Sequence, residues 1–218
     1  MSGVTAETAA SVVMPAVLEG RFVRLEPLIA AHGPDLLAAA SGPRDTYGLT
    51  WVPATLAEAV TYIESALGEQ TAGRSLPFAT IDRAGRRVVG STRFLNIEYW
   101  TWPHGNAHQR GVERPDGVEI GATWLAAGAQ RTRINTEAKL LMLEHAFDRW
   151  RVHRVSLMTD ARNERSRNAI VRLGARFDGV LRAARPASDG TIRDTAAFSI
   201  LESEWPAIRA KLQARLTQ

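Results

Sequence analysis

Cysteine is absent from this sequence of 218 residues. Disulfide frameworks, thiolate nucleophiles and cysteine-ligated zinc sites are therefore excluded. A chain without cysteine fits a reducing compartment, and we expect the protein in the cytoplasm.

Lysine is almost absent too, because the chain carries 25 arginines but only Lys139 and Lys211. Clustered arginines would indicate nucleic-acid binding. Here they are interleaved with 23 acidic residues, which favours a solvated surface with a local anion site. The charge pattern therefore disfavours a nucleic-acid partner.

Long hydrophobic runs are missing as well. The longest stretch without Asp, Glu, Lys or Arg covers residues 46–57, far short of the roughly 20 residues that cross a bilayer. An apolar run at residues 9–18 has no Lys or Arg ahead of it, so it lacks the charged start of a secretory signal. We expect no membrane segment, a flexible tail over residues 1–17 and a single domain over residues 18–218.

Hydrophobic periodicity and turn residues predict an α/β (α+β) chain with a mixed sheet and helices on its faces. The predicted strands cover residues 21–28, 76–82, 86–99, 117–126, 153–160, 176–184 and 193–201. The predicted helices cover residues 34–40, 55–67, 136–150, 163–174 and 203–216.

The segment "AQRTRINTEAK", residues 129–139, has the features of a helix amino end. Asn135 and Thr136 are good capping residues, Glu137 suits a first turn, and an apolar stripe follows. Helix amino ends stabilise anions through unpaired N–H groups and a partial positive charge.

The residues that precede this helix are unusual for a phosphate site. Close backbone approach to phosphate usually depends on glycine, whereas Arg131, Thr132 and Arg133 stand here. Two interpretations follow: the arginines donate charge-assisted hydrogen bonds to a phosphate, or the helix caps itself and the arginines are solvated.

Several segments resemble the acyl-coenzyme A-binding half of the GNAT N-acetyltransferases, and most closely their RimJ/RimL-like branch of ribosomal-protein N-terminal acetyltransferases. They are "VEIGATWL", "AQRTRINTEAKLLMLEHAF" and "HRVSLMTDARNERSRNAIVRLGARFDGVLR". "LEGRFVRLEPL" resembles the first strand of that branch, so the likeness covers residues 18–205. The resemblance implies a mostly antiparallel central sheet with helices on both faces, acetyl-CoA as acyl donor, and no metal.

The resemblance also assigns donor-binding residues. The family signature Gln/Arg-x-x-Gly-x-Gly/Ala holds the coenzyme A pyrophosphate, and Gln130 matches its first position. Arg133 and Asn135 stand where small residues are usual, which is similar to a sub-branch with the pattern "QRTxxNTEAK". The implied donor contacts are Trp124, Leu125, Gln130, Arg131, Thr132, Arg133, Asn135, Thr136, Asn163 and Arg167.

The catalytic assignments come from the same resemblance. Glu119 matches an acidic residue beside the acceptor site and is the predicted general base. "NERS" matches an Asn-x-x-Ser that places Asn163 and Ser166 near the thiol, and Ser166 is the predicted proton donor to the thiolate. Its alternative is an ordinary first-turn serine. Many relatives have a tyrosine acid where this chain has Ile170.

Residues 98–117 form an insertion that is longer than the usual turn of these relatives. Trp100 and Trp102 suggest a lid or specificity loop, although an insertion packed on its own chain or on a second subunit of a homodimer fits equally. His104 and His108 have a helical ligand spacing, but neighbouring Pro and Gly residues disfavour both helix and metal.

Aromatic residues in the early helical region are candidates for the acceptor pocket. In relatives this region covers that pocket, which implies substrate-binding roles for Tyr47, Trp51 and Tyr62, with core packing as the alternative. Arg162 and Arg165, together with Arg167, border the Asn163 helix and are candidates for the 3′-phosphate of coenzyme A, or else form a solvated basic face.

These observations predict an acyl-CoA-dependent N-acyltransferase that acetylates a primary amine on a protein N-terminus, an amino acid or a small molecule. Two alternatives stay open: transfer of a larger acyl group such as succinyl, and a non-catalytic coenzyme A sensor. Neither G-x-G-x-x-G nor G-x-x-x-x-G-K-S/T occurs, which disfavours dinucleotide enzymes and P-loop nucleotide triphosphatases.

Overall fold

The computed structural model describes residues 13–217, so the predicted tail lies largely outside the described residues. The strands of the described part form one sheet in the order β1-β2-β3-β4-β5-β6-β8-β7. They are β1 Leu18–Glu19, β2 Val23–Pro27, β3 Leu76–Asp82, β4 Arg87–Glu98, β5 Gly117–Leu125, β6 Arg154–Asp160, β7 Arg176–Pro186 and β8 Ile192–Leu201. The helices are α1 Gly33–Ala40, α2 Leu56–Thr71, α3 Arg133–Glu144, α4 Glu164–Leu173 and α5 Trp205–Thr217. The predicted mixed sheet is confirmed.

The helices lie on both faces of the sheet and build two apolar clusters. The larger cluster joins α3, α4 and α5 to the sheet through residues such as Leu143, Trp150 and Phe198. The smaller cluster joins α1 and α2 to the other face, here called the α1–α2 face, through Leu36, Ile63 and neighbours. No helix in the described range has the length and apolar character needed to cross a membrane.

The start of α3 differs from the prediction. The helix begins at Arg133, and its cap is Thr132, whose side chain accepts a hydrogen bond from the N–H of Ile134. Asn135 and Thr136 were predicted as the caps, which is wrong. The helix has already begun at Arg133, because the Thr132 hydroxyl accepts an N–H group of the first turn. After Glu144 the chain continues as a π-helical turn, His145–Trp150.

Glu137 has a structural role that its sequence position did not reveal. It is 6% exposed, and its carboxylate accepts the backbone N–H groups of Arg21, Phe22 and Val23 at 2.8, 2.6 and 2.8 Å. A carboxylate that receives several N–H donors is well satisfied although buried. Glu137 therefore ties α3 to the start of β2.

The one parallel contact in the described sheet is short. β5 and β6 pair only through Gly117–Glu119 and Arg154–Ser156, whereas β5 continues to Leu125 beside β4 and β6 continues to Asp160 beside β8. The two strands therefore separate beyond Glu119. We call the gap between them the wedge.

Candidate active site

The wedge exposes backbone groups that a regular sheet would pair. On its β5 side, Ala122 and Thr123 together oppose the single residue Thr92 of β4, which forms a bulge with Ala122 at φ 46°. A bulge interrupts the ladder and re-aims the chain. Because β6 has already diverged, the β5 backbone beyond Glu119 has no partner strand on the wedge side, and its polar groups can meet a ligand.

Two helices begin at the open end of the wedge. Since β5 and β6 run parallel, α3 and α4, which follow them, both start at the same edge of the sheet. Asn163 caps α4 by accepting the N–H of Ser166 at 3.0 Å. Two helix amino ends around one cleft form an environment that fits a diphosphate.

Most of the predicted donor-binding residues at the amino end of α3 lie near the wedge. Gln130 donates to the carbonyl of Leu125 at 3.0 Å, and Arg131 is exposed with a left-handed φ of 60°. Asn135 and Thr136 lie in the first turn of α3, one turn before Lys139, whose side chain contacts β4 and β5. They therefore face the β5 side of the wedge.

Arg133 points to a different place. Its guanidinium lies 5.3 Å from the ring centre of Phe22. There it lines an open cleft of about 980 Å³ between the β3–β4 hairpin, α1 and the amino end of α3. This cleft lies on the β3–β4 side of α3 and is lined by Thr132 as well, so the structure places Arg133 and Thr132 on a different side of the helix start from Asn135 and Thr136.

Glu119 lies where β5 and β6 separate. It is 5% exposed, and its carboxylate accepts one hydrogen bond, from Asn96 Nδ2 at 2.8 Å. Burial raises the pKa of Glu119, although Asn96 and the charges of Arg185 and Arg193 oppose the rise. A carboxyl whose pKa is raised by burial is a stronger proton acceptor than an exposed one.

Two glycines keep the surface around Glu119 open. A Cβ at Gly121 would lie 2.9 Å from both Glu119 Oε1 and Leu95 Cδ1, and one at Gly117 would lie 2.9 Å from Glu98 Oε2. The strand period places Gly117, Glu119 and Gly121 on one face. The pattern "GVEIG" contained this signal, but the sequence prediction did not use it.

Lys139 is a buried amine that the prediction missed. It is 5% exposed, and its Nζ donates to Thr123 Oγ1 at 2.6 Å and to Thr92 Oγ1 at 3.0 Å. Burial lowers the pKa of Lys139 to about 7. The side chain therefore holds the β5 bulge to β4 from the α3 side. Lys139 lies four residues after Asn135 and therefore on the same face of the helix, which was the signal available in the sequence.

Ser166 lies on the inward stripe of α4, four residues before the buried Ile170. Its N–H bonds to Asn163 Oδ1. Asn163 is therefore the cap, and the Ser166 hydroxyl is left for another role. Ile170 is 7% exposed inside the larger apolar cluster, and an apolar side chain there supplies no proton.

The early aromatic residues fall into two sets. Tyr47 is buried and meets the ring of buried Trp124 edge-on at 6.4 Å, so both belong to the smaller core cluster. Trp51 is 48% exposed and stacks on Tyr62 at 5.9 Å. The Arg93 guanidinium lies over the Tyr62 ring, 4.3 Å from its centre. Trp51 is therefore the exposed member of this group.

The insertion at residues 98–117 packs on its own chain. Asp116 accepts the N–H of Trp100 and the indole N–H of Trp102, both at 2.7 Å. The Trp100 ring stacks on His153 at 5.7 Å. Trp100 also lies 3.6 Å from the Cβ position of Gly117, on the face that carries Glu119. The insertion is thus anchored at the start of β5 and borders the α1–α2 face.

The arginines of the α4 region are largely occupied. Arg162 forms ion pairs with Asp160 at 2.8 Å and Asp189 at 3.0 Å. Arg167 donates to the carbonyl of Ala161 at 3.1 Å and lies 5.8 Å from the ring centre of Phe177.

Among the residues the structure describes, no cluster of three or more His, Asp and Glu side chains has metal-binding geometry.

Comparison with known proteins agrees with this geometry. The model of the Acetyltransferase (GNAT) domain matches residues 23–176. A GCN5-related N-acetyltransferase from Brucella melitensis is 33% identical with a TM-score of 0.77, covering 92% of this chain and 85% of its own. A probable GNAT-family acetyltransferase from Chromobacterium violaceum is 25% identical with a TM-score of 0.73, covering 94% of this chain and 96% of its own.

A more distant structure is similar in fold. RimJ of Mycobacterium smegmatis in complex with CoA-disulfide is 22% identical with a TM-score of 0.69, covering 92% of each chain. A comparison with curated proteins gave no match. The domain match spans more than half of the sequence, and the chain therefore belongs to the GNAT acetyltransferase family.

Proposed function

We propose that this enzyme transfers an acetyl group from acetyl-CoA to a primary amine, by direct attack of the amine on the thioester. The observation that carries the proposal is the position of Glu119. It is buried where β5 and β6 separate, between the wedge that can hold the donor and the α1–α2 face that can admit an acceptor.

The donor is held in this proposal at the amino ends of α3 and α4. Gln130, Arg131, Thr132, Asn135 and Thr136 supply backbone or side-chain donors for the pyrophosphate, and Asn163 lies nearer the thiol. The structure of M. smegmatis RimJ contains CoA-disulfide, which supports coenzyme A as the carrier. Arg133 and Arg167 are weaker candidates, because each packs against a different aromatic ring.

Glu119 acts as the general base, directly or through a water molecule. Its raised pKa brings it closer to the pKa of an amine, and proton transfer is most efficient when the two pKa values approach each other. The Asn96 amide holds one carboxylate oxygen at 2.8 Å, which fixes the orientation of the other.

The strength of this base favours an acceptor that is an α-amine. An α-amine with a pKa of about 7.8 is neutral roughly one time in seven at pH 7, whereas a lysine near 10.4 is neutral about once in 2,500. One carboxylate therefore suits a peptide or protein N-terminus better than an internal lysine. An amino acid or a small amine is the more demanding acceptor, because its amine is more basic than a chain N-terminus. We also propose that the chain belongs to the RimJ/RimL-like branch and acts in the cytoplasm.

Ser166 delivers the proton that the thiolate leaving group requires. It occupies the inward stripe of α4, and the nearby position of the usual tyrosine acid is the buried Ile170. Backbone N–H groups at the β5 bulge, near Thr123, stabilise the oxyanion of the tetrahedral intermediate.

An amine panel with a free-thiol assay tests the proposal. Purified protein is incubated with acetyl-CoA and α-amino acids, N-terminal peptides, lysine derivatives and small amines, and thiol release is followed together with calorimetric binding of acetyl-CoA. We expect turnover on α-amines. Binding without turnover on any amine would instead identify a coenzyme A sensor, and higher kcat/KM with succinyl-CoA would identify a different acyl group.

A further inference from the structure

Two arginines of the β7–β8 hairpin oppose each other without an acidic partner. Arg185 and Arg193 are direct partners in the antiparallel register, an arrangement of like charges that destabilises a strand pair. Among the residues that the structure describes, neither guanidinium has a hydrogen bond or an ion pair. The Nε atom of Arg193 is moreover buried without a partner.

The arginine pair faces the same side of the sheet as Glu119. In β8, Ala196 and Phe198 belong to the larger apolar cluster, so the strand period turns Arg193 to the α1–α2 face. In β5, Val118 and Ile120 belong to that same cluster, which turns Glu119 to the α1–α2 face as well.

The arginines are also close enough to Glu119 to interact electrostatically. Both lower the pKa of the Glu119 carboxyl, and the pKa of Arg193 is itself lowered by burial and by Arg185. Asp160 is the other acidic group that acts on Arg193, but Asp160 is already bound by Arg162 at 2.8 Å. Arg185 and Arg193 therefore share the charge of Glu119, and neither forms an ion pair with it.

The tip of the hairpin is fixed across the α1–α2 face. Ser188 Oγ donates to the carbonyl of Leu49 at 3.0 Å, which joins the β7–β8 turn to the connection between α1 and α2. This contact ties the hairpin tip to the α1–α2 side of the sheet, the side to which Arg185 and Arg193 point.

We propose that Arg185 and Arg193 bind a carboxylate carried by one of the two reactants. The inference rests on the proposed function, because it places that carboxylate beside the amine that Glu119 deprotonates. Guanidinium groups match a carboxylate with paired N–H donors. The carboxylate has two sources, an acceptor such as a free amino acid or an acyl group such as succinyl, and both present the same chemistry to the arginines.

Matched substrates test the pocket and separate the two sources. The first arm uses acetyl-CoA as donor and compares L-phenylalanine with L-phenylalaninamide as acceptors. The second arm uses one amine without a carboxylate as acceptor and compares succinyl-CoA with acetyl-CoA as donors. In each arm, the kcat/KM for the substrate with the carboxylate is divided by the kcat/KM for the substrate without it. This ratio in the wild type is then compared with the ratio in R193Q and in R185Q, which cancels differences in amine pKa. Charge-assisted hydrogen bonds of this type predict a loss of roughly 10- to 100-fold in one arm.

Control variants and a binding measurement make the result decisive. R182Q removes an exposed arginine from the same strand and should keep the wild-type ratio, whereas R193K should keep part of it. If no amine is acetylated, the proposed function fails, and calorimetry with the same four compounds then tests the pocket by binding alone. Ratios or affinities that are unchanged in R185Q and R193Q in both arms would overturn the carboxylate pocket.

Discussion

The vertex of the wedge and the junction between α3 and β2 each contain a buried glutamate, and they surround it differently. Glu137 receives three backbone N–H groups, whereas Glu119 receives one side-chain amide, and burial raises its pKa. The comparison shows that burial alone does not mark a reactive acid. A fully bonded carboxylate serves packing, and an incompletely bonded one retains the capacity to take a proton.

The largest effect should come from E119Q, which keeps the shape of the base but removes its charge. Loss of a general base costs about 10²- to 10⁴-fold in kcat/KM, and the loss should be greater at low pH, where the amine is protonated. A pH–rate profile measures it, and an equal loss at every pH would contradict the assignment. Because the folded state raises the pKa of Glu119, stability at neutral pH should not fall in this variant.

E137A should reverse that pattern, with a loss of stability and little change in chemistry. Removing the acceptor of three backbone donors should lower the free energy of unfolding by about 3 kcal/mol. Urea denaturation measures the effect. E144Q is the control, because Glu144 on the same helix forms a partly exposed ion pair with Arg209, and its loss should cost under about 1 kcal/mol. Equal losses of stability in E137A and E144Q would contradict the role of Glu137 in joining α3 to β2.

K139M tests the buried amine of Lys139, which lies between these two regions. The folded pKa of Lys139, about 7, lies below its unfolded value, so the unfolded chain binds more protons between the two and stability rises with pH. From pH 7.5 to 9 the wild type should gain about 2 kcal/mol at about 1.36 per unit, a gain that K139M should lack. The exposed Lys211 provides the control K211M, and a slope that survives in K139M would reject the low pKa.

S166A should produce the smallest effect. Loss of the proton donor should slow turnover about 10-fold, at the low end of general acid catalysis or below because water can replace the hydroxyl. Acetyl-CoA affinity should stay at the wild-type level, since Asn163 caps the helix. Stopped-flow thiol release and calorimetry separate the two quantities. An unchanged rate would return Ser166 to an ordinary first-turn role.

The fold was predictable because its signals are local, whereas Glu119 was assigned as the base from the family resemblance and stays a prediction. Alternation and helical spacing placed every main element, and the stripe of Leu140, Leu143, Phe147 and Trp150 is buried as expected. The start of α3 was misplaced, because Thr132, Asn135 and Thr136 are all good caps and only the backbone entering the helix distinguishes them.

The acceptor side was less predictable, because it depends on register and long-range contacts. The pairing of Arg185 with Arg193 follows a bulge in β7, and a shift of one residue in that strand would turn Arg185 to the other face. The three N–H groups bound by Glu137 lie more than a hundred residues away in the chain. No pattern near Glu137 indicates them.

A crystal structure of the protein with coenzyme A would test the central claim most directly. The pyrophosphate should lie at the amino ends of α3 and α4, and the thiol should lie in the wedge between Glu119 and Ser166. Coenzyme A bound instead in the cleft beside Arg133, or with its thiol away from Glu119, would contradict the proposed catalytic site.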